Sequence, residues 1–327
     1  MTVLVTGGSG FVGRRLVGHL VSRGGVVRVL SRSGSGAPPA GCETVTGDLE
    51  DPRSLEAACR GVSAVFHCAG YAHAGSAESP VEAERHWRVN ALGSRDLAEA
   101  AGEVGVSRFV LLGTVKAMGD PGSGCVDEDW AGPPATPYGR AKGQAEQWVR
   151  EAGERYGMAV VVLRSAMVYG PGGKGNLPRM VAAIRRGRFP PLPQVRNRRS
   201  MVHVEDLVQA TLLAADRPEA VGRTYIVTDG VDYSTGEVYR RVRAALGLEP
   251  ARWAFPAALL RFLAWTGDLL RALSLPTPLD SGVAERLLGS ECYRSDRIRQ
   301  ELGYRPTRTL WDALPDVVAA ASRPDAL

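Results

Sequence analysis

The chain has 327 residues, 44% of them apolar and 23% charged, with 40 basic against 35 acidic side chains and a formal net charge of +5. A length above the roughly 100–200 residues of an average domain is compatible with one large α/β unit or with two domains sharing a core, and excludes a peptide hormone or a disulfide knot. The composition excludes a disordered chain and a membrane channel, and the slight basic excess favours anionic ligands only weakly.

In chain order, short apolar runs rich in β-branched residues alternate with stretches of helical periodicity. Val3–Val5, Val26–Leu30, Thr44–Thr46, Ala64–Cys68, Phe109–Leu112 and Val160–Leu163 read as buried strands. Between them, Phe11–Ser22 has helical spacing, Asp51-Pro52 suits an N-cap followed by proline at the first helical position, and Val81–Gly102 and Tyr138–Tyr156 are long enough for crossover helices. This alternation predicts an α/β fold, a doubly wound parallel sheet of Rossmann type. Beyond Tyr169 it breaks into glycine, proline and arginine clusters at Gly170–Gly175 and Arg185–Arg199. The expected organisation is a dinucleotide-binding domain over 1–169, with 201–220 packing back onto it, and a smaller, mixed substrate-binding region over 170–327. A Ser/Gly/Pro loop is expected at Ser31–Pro39. The apolar stretch Phe255–Leu275 is interrupted by Pro256, Arg261, Asp268 and Arg271, so it predicts an amphipathic helix packed on its own protein or resting on a membrane surface, without stable insertion.

The first strand runs into Gly7-Gly8-Ser9-Gly10-Phe11-Val12-Gly13 and then a helix. Glycines there let the backbone turn tightly and approach a pyrophosphate, Gly13 permits close helix–strand packing, and the helix N-terminus offers free N–H donors. Gly7, Gly10, Phe11, Val12 and Gly13 are therefore candidate cofactor contacts. After the second strand comes Ser31-Arg32, and no carboxylate lies between Gly13 and Glu43 to accept from a ribose 2′-hydroxyl. A guanidinium at Arg32 pairs with a 2′-phosphate, which makes NADP the preferred cofactor and NAD the alternative.

Tyr138 and Lys142 stand four residues apart, one turn on one helix face. A neighbouring ammonium stabilises phenolate, so Lys142 is expected to lower the Tyr138 pKa and let it exchange a proton with a carbinol or carbonyl oxygen. The five cysteines are odd in number, widely spaced and without a CxxC, so neither a disulfide framework nor a metal site is expected, and a cytoplasmic location follows from that usage and from an N-terminus with no leader pattern.

These features, with Gly47-Asp48-Leu49, Phe66-His67-Cys68-Ala69-Gly70, Asn90, Leu163-Arg164, Val168–Gly172, Arg199–Asp206 and Glu301–Tyr304, give the chain a resemblance along nearly its whole length to the extended short-chain dehydrogenases/reductases. It is similar to the UDP-galactose 4-epimerases and UDP-hexose 4-reductases of that class. The resemblance implies Thr114 as a third catalytic member beside Tyr138 and Lys142, its hydroxyl positioning the reacting oxygen. It further implies Asp48 and Leu49 at the adenine, Cys68, Ala69 and Gly70 along the cofactor channel, Lys142 also at the nicotinamide ribose, and Asn90 supporting the site. In family dehydratases an acid–base carboxylate pair follows the catalytic Thr; here Val115 and Lys116 stand there, which disfavours dehydration. Lys116 and Arg199 are the implied substrate contacts, Arg199 through a substrate diphosphate.

The expected function is oxidoreduction or epimerisation at a secondary alcohol or ketone of a nucleotide-sugar. A reductase of lipid-like or steroid-like ketones and a non-catalytic NAD(P)-binding protein are the alternatives. Nucleic acid is excluded as a partner by the slight charge excess and the lack of a basic–aromatic motif. A homodimer pairing through the two long helices is expected by analogy.

Overall fold

The β-branched runs of the first half are apolar on both faces, and such strands are stable only when helices cover both sides of the sheet they form. The computed structural model, which describes residues 1–32, 41–72, 79–173, 175–193, 195–273, 275, 277 and 279–322, shows that arrangement. Its strands are β1 (Thr2–Thr6), β2 (Val26–Ser31), β3 (Cys42–Thr46), β4 (Ala64–His67), β5 (Arg108–Thr114), β6 (Cys125–Val126), β7 (Ala159–Ser165), β8 (Met167–Tyr169), β9 (Arg199–His203), β10 (Thr224–Val227), β11 (Asp232–Tyr233) and β12 (Cys292–Tyr293). Its helices are α1 (Gly13–Ser22), α2 (Pro52–Cys59), α3 (Pro80–His86), α4 (Gly93–Glu103), α5 (Pro137–Tyr156), α6 (Asn176–Arg185), α7 (Val204–Asp216), α8 (Thr235–Ala245), α9 (Ala257–Ala272), α10 (Ser281–Leu288), α11 (Asp296–Leu302) and α12 (Leu310–Ala321).

Seven parallel strands form the main sheet in the order β10-β7-β5-β4-β1-β2-β3. Alternation along each strand divides its side chains between two cores. Val5, Val110, Val161 and Leu163 pack with Leu16, Val17, Leu207 and Val208 of α1 and α7. Leu4, Phe109, Leu111, Val160 and Val162 face Leu55, Leu97, Ala98 and Val149 of α2, α4 and α5. The six strands expected from the sequence are all present, and β10 is the seventh. The strand order reverses between β1 and β4, so the carboxyl ends of these strands open a crevice where dinucleotides lodge in such sheets.

The expected helix over 81–102 is interrupted. Residues Trp87–Leu92 form a π-helical segment between α3 and α4, and the extra residue per turn of such a bulge re-aims side chains locally. Asp51 holds the N-cap position of α2 without a side-chain capping bond. Residues 33–39 of the expected Ser/Gly/Pro loop lie outside the described residues.

A second core of Leu177, Val181, Met201, Val238, Leu260 and Leu314, among others, gathers α6, α8, α9 and α12 around the small sheet β11-β9-β8. Cys125 and Cys292 face each other across the parallel pair β6–β12 and form a disulfide, with Cα atoms 4.5 Å apart. The odd number and wide spacing of the cysteines predict no disulfide framework, and this single bond is the exception. The partners are 167 residues apart, and strand register, invisible in the spacing, brings them together. Cys42, Cys59 and Cys68 take part in no disulfide among the described residues.

Candidate active site

Three backbone segments build the floor of the crevice. The turn after β1 is held by the Gly10 amide donating to the Gly7 carbonyl (2.9 Å). Gly7 has φ +68°, and a Cβ on it would lie 2.7 Å from the Ala69 amide nitrogen; one on Gly13 would lie 2.1 Å from the Gly7 carbonyl oxygen. Only glycine fits at either place. Gly10, Phe11 and Val12 lie between them at the start of α1, with Gly10 exposed. This cradle, ending at a helix N-terminus, has the shape and donors a dinucleotide pyrophosphate needs. His203 adds a buried Nε2 with no partner among the described residues. A Cβ on Gly170 would stand 3.4 Å from that nitrogen and 3.5 Å from the Phe11 ring, so the unpartnered atom borders the same turn.

Arg15 ties the turn to the second half of the chain. It donates to the carbonyls of Phe11 (2.9 Å) and Pro171 (2.6 Å) and pairs with Glu205 (2.9 Å). Sequence reasoning missed this residue, since one arginine among 37 carries no local signal. At the carboxyl end of β2, Arg32 is exposed. Asp48 accepts from the Glu50 amide (3.1 Å), and Leu49 packs under Gly93, where a Cβ would lie 2.8 Å from its own.

The segment Cys68-Ala69-Gly70 is positioned by a chain of hydrogen bonds whose direction can be deduced. Ser94 Oγ donates to the Asn90 carbonyl (2.7 Å), so it must accept from His67 Nε2 (2.8 Å). His67 Nδ1 then accepts from the Thr6 hydroxyl (2.6 Å), which itself accepts from the Ala69 amide (3.2 Å). The chain requires a neutral imidazole. Burial, with Lys142 nearby, pushes His67 down to about 3. Asn90 spends its amide on this scaffold: Oδ1 accepts from the Tyr71 amide (2.8 Å) while Nδ2 donates to the Tyr71 carbonyl (2.9 Å) and His86 Nδ1 (3.2 Å). It therefore reaches the crevice through the Tyr71 backbone.

At the end of β5, Thr114 is buried, and its hydroxyl oxygen accepts from the Lys116 amide (3.3 Å). Thr136 caps α5 by accepting from the Gly139 amide (3.0 Å), which begins the helix one residue before Tyr138. The Tyr138 ring meets His86 edge-on at 5.4 Å. Burial pushes the phenol above its ordinary value, with the neighbouring Thr114 hydroxyl offsetting part of that rise. The expected acidification by Lys142 is not realised in this arrangement. The buried Lys142 ammonium donates to the Leu112 carbonyl (3.0 Å), and burial lowers its pKa while Glu146, one turn further along α5, raises it. Glu146 is in turn gripped by Arg164, whose Nε and Nη2 donate to Oε2 at 2.9 and 2.7 Å. The Lys142 charge is thereby fixed beneath Cys68, whose thiol burial pushes up to about 12.

The two predicted substrate cations meet on one carboxylate. Lys116 Nζ lies 2.6 Å and Arg199 Nη1 3.5 Å from Glu291 Oε1. Burial alone would raise the Glu291 carboxyl; Arg199 and Lys116 outweigh it and hold it below its ordinary value. Arg199 also donates to the Gly289 carbonyl (3.2 Å). Beyond it lies a cavity of about 310 Å³ with an apolar lining that includes Met167, Met180, Phe189 and Met201, and with Asn176, Arg179, Arg199 and Arg286 also on its wall. Asn176 and Arg179 on α6 and Arg286 on α10 were not singled out in the sequence, since nothing local links two helices about 100 residues apart.

This is a Rossmann-type sheet with a glycine cradle at its switch point and a tyrosine, a threonine and a buried lysine at the ends of β5 and α5. Residues 3–228 match the NAD dependent epimerase/dehydratase family, and the chain belongs to that family of extended short-chain dehydrogenase/reductase enzymes. It is 27% identical to a UDP-glucose 4-epimerase of Vibrio cholerae over 324 residues, 98% of this chain and 95% of that protein. It is 32% identical over 314 residues to a 4-hydroxy-2-methyl-3-oxo-4-farnesyl-3,4-dihydroquinoline-1-oxide ketoreductase of Stigmatella aurantiaca, covering 93% of this chain and 92% of that one. The structure of a Thermus thermophilus UDP-glucose 4-epimerase in complex with NAD superposes with a TM-score of 0.76 at 27% identity, covering 98% of this chain and 99% of that one.

Proposed function

We propose that the protein oxidises or reduces a secondary alcohol or ketone on the sugar of a nucleotide-sugar, as a UDP-hexose 4-epimerase or 4-keto reductase does. The observation that carries this reading is the cavity beside Arg199. Its apolar lining suits a planar base, while the guanidinium groups of Arg199 and Arg286 on its wall suit a diphosphate.

A nicotinamide dinucleotide, when bound, exchanges hydride with the substrate carbon. The remaining work falls to this chain. Gly7, Gly10, Phe11, Val12 and Gly13 hold the pyrophosphate, Asp48 and Leu49 border the adenine, and Cys68, Ala69 and Gly70 line the channel. Tyr138 Oη gives a proton to a carbonyl oxygen or takes one from a carbinol, and Thr114 holds that oxygen in place. Lys142 keeps a positive charge under the site and binds the ribose once it leaves the Leu112 carbonyl. Arg32, with no acidic competitor after β2, supports NADP over NAD. Val115 and Lys116 in place of carboxylates speak against water elimination.

The test is native mass spectrometry of the purified protein, followed by turnover assays with UDP-hexoses and their 4-keto forms. A retained dinucleotide with interconversion of two hexoses marks an epimerase, and stoichiometric NADPH consumption marks a reductase. Absence of both, with reduction of a lipophilic ketone, would reject the nucleotide-sugar reading. That second reading is favoured by the similarity to the Stigmatella ketoreductase and by the methionine-rich lining of the cavity.

A further inference from the structure

Helix α9 presents an apolar face that nothing in the described chain covers. Leu260, Ala264 and Gly267 are buried against the protein. The other side carries Phe262 at 57% exposure, Trp265 at 60%, Leu269 at 55% and Leu273 at 65%, with Leu259, Leu263 and Leu270 between them. At 3.6 residues per turn these fall within an arc of about 160°, a continuous stripe opposite the buried one. Trp253, 59% exposed, extends the patch before the helix. Isolated exposed leucines need no explanation, but a stripe of this size marks an interaction surface. No described helix is long and apolar enough to cross a membrane.

Charge decides which occupant fits. Arg252 and Arg261 are exposed on this segment, and no acidic residue occurs from Ala251 to Gly267. Of the acids nearby, Asp268 accepts from the Ser281 amide (3.1 Å) and the buried Asp280 pairs with Arg271, while Glu249 and Glu285 are exposed and are outnumbered by the arginines around the face. The Pro191 carbonyl accepts from the Phe255 amide (3.1 Å), which brings the turn carrying the exposed Arg186 and Arg188 beside the start of α9. From Pro171 to Val204 the chain has no Asp or Glu at all. A second copy of this chain on the same face would bring Arg186, Arg188, Arg252 and Arg261 of both copies together, with fewer acids, Glu249 and Glu285, to answer them. An anionic lipid surface supplies both the apolar layer and the opposite charge, and tryptophans are at home at its boundary.

We infer that α9, with the arginines around it, docks the protein in the plane of a membrane whose surface carries anionic phospholipid. The face lies close to the substrate cavity: α10 packs against α9 and contributes Val283, Arg286 and Leu287 to the cavity wall. The inference does not depend on which substrate the cavity takes.

The experiment is flotation of the full-length protein with vesicles of phosphatidylcholine alone or mixed with phosphatidylglycerol, at low and high salt. Three proteins are compared: wild type, Phe262→Ser/Trp265→Ser and Arg252→Glu/Arg261→Glu, each checked for coenzyme binding and for an unchanged melting transition. Wild type is expected to float with the anionic vesicles at least about tenfold better than with phosphatidylcholine alone, less so in high salt. The aromatic double variant is expected to lose at least about tenfold in binding to either vesicle, and the charge variant to lose its preference for phosphatidylglycerol. Wild-type protein that stays with the soluble fraction at low salt, or an aromatic variant that floats as well as wild type, overturns the inference. Self-association of wild type that disappears in the aromatic variant, without vesicle binding, also overturns it and assigns the face to a second copy.

Discussion

The proposed coenzyme end and the proposed substrate end of the site are built on different principles. At the first, backbone geometry does the selecting: two glycines admit no Cβ, and a buried chain from Ala69 through Thr6, His67 and Ser94 to Asn90 fixes the loops. At the second, long side chains from separate elements converge: Lys116 after β5, Arg199 on β9, Arg286 on α10 and Glu291 before β12. A site made of backbone is rigid and leaves a dense local motif. A site made of side chains is adjustable, and its members lie far apart in sequence.

The sharpest division between the two ends comes from Tyr138→Phe. Removing the hydroxyl should cut kcat by about 10²–10⁴-fold while the coenzyme Kd stays within about twofold. Coenzyme titration and steady-state kinetics measure the two, and an unchanged kcat would remove Tyr138 from the chemistry. Because burial holds the phenol above its ordinary range, alcohol oxidation in wild type should rise with pH well past neutrality.

Gly13→Ala places a methyl 2.1 Å from the Gly7 carbonyl oxygen, so it should abolish coenzyme binding and destabilise the fold by about 1–3 kcal/mol. Calorimetric binding and thermal melts test this; normal affinity in the variant would mean that the turn does not hold the pyrophosphate. Arg199→Ala should act at the other end alone, raising KM for an anionic substrate by about tenfold or more with coenzyme affinity unchanged.

The Cys125–Cys292 bond closes a long loop between the two ends, and its loss by Cys292→Ser should lower stability by about 2–4 kcal/mol, read by denaturant unfolding with and without reductant. If reductant lowers wild type to the level of the variant, the bond alone accounts for the difference. A further effect concerns pH. His67 is held neutral down to about 3 when folded, whereas in the unfolded chain it takes a proton near 6.5. Its contribution is intact above about pH 6.5 and is lost progressively as pH falls toward 3. A His67→Asn variant should therefore show a shallower acid limb in its stability profile.

The parallel sheet, the glycine turn and the Tyr138/Lys142 pair were legible in the sequence because each is local. Alternation of apolar strands and amphipathic helices follows from burying both sheet faces, the turn needs its glycines within seven positions, and one helical turn sets the Tyr–Lys spacing. Thr114 required a family resemblance, since a threonine at a strand end has no signature of its own. Tertiary structure alone decided the rest: the disulfide between β6 and β12, the carboxylate shared by Lys116 and Arg199, the π-helical turn that directs Asn90 to the Tyr71 backbone, and the direction in which burial moves Tyr138. Each depends on strand register, on solvent exclusion, or on side chains brought together from distant parts of the chain. Local periodicity records none of these, because it reports which face of an element is buried and not what that face meets.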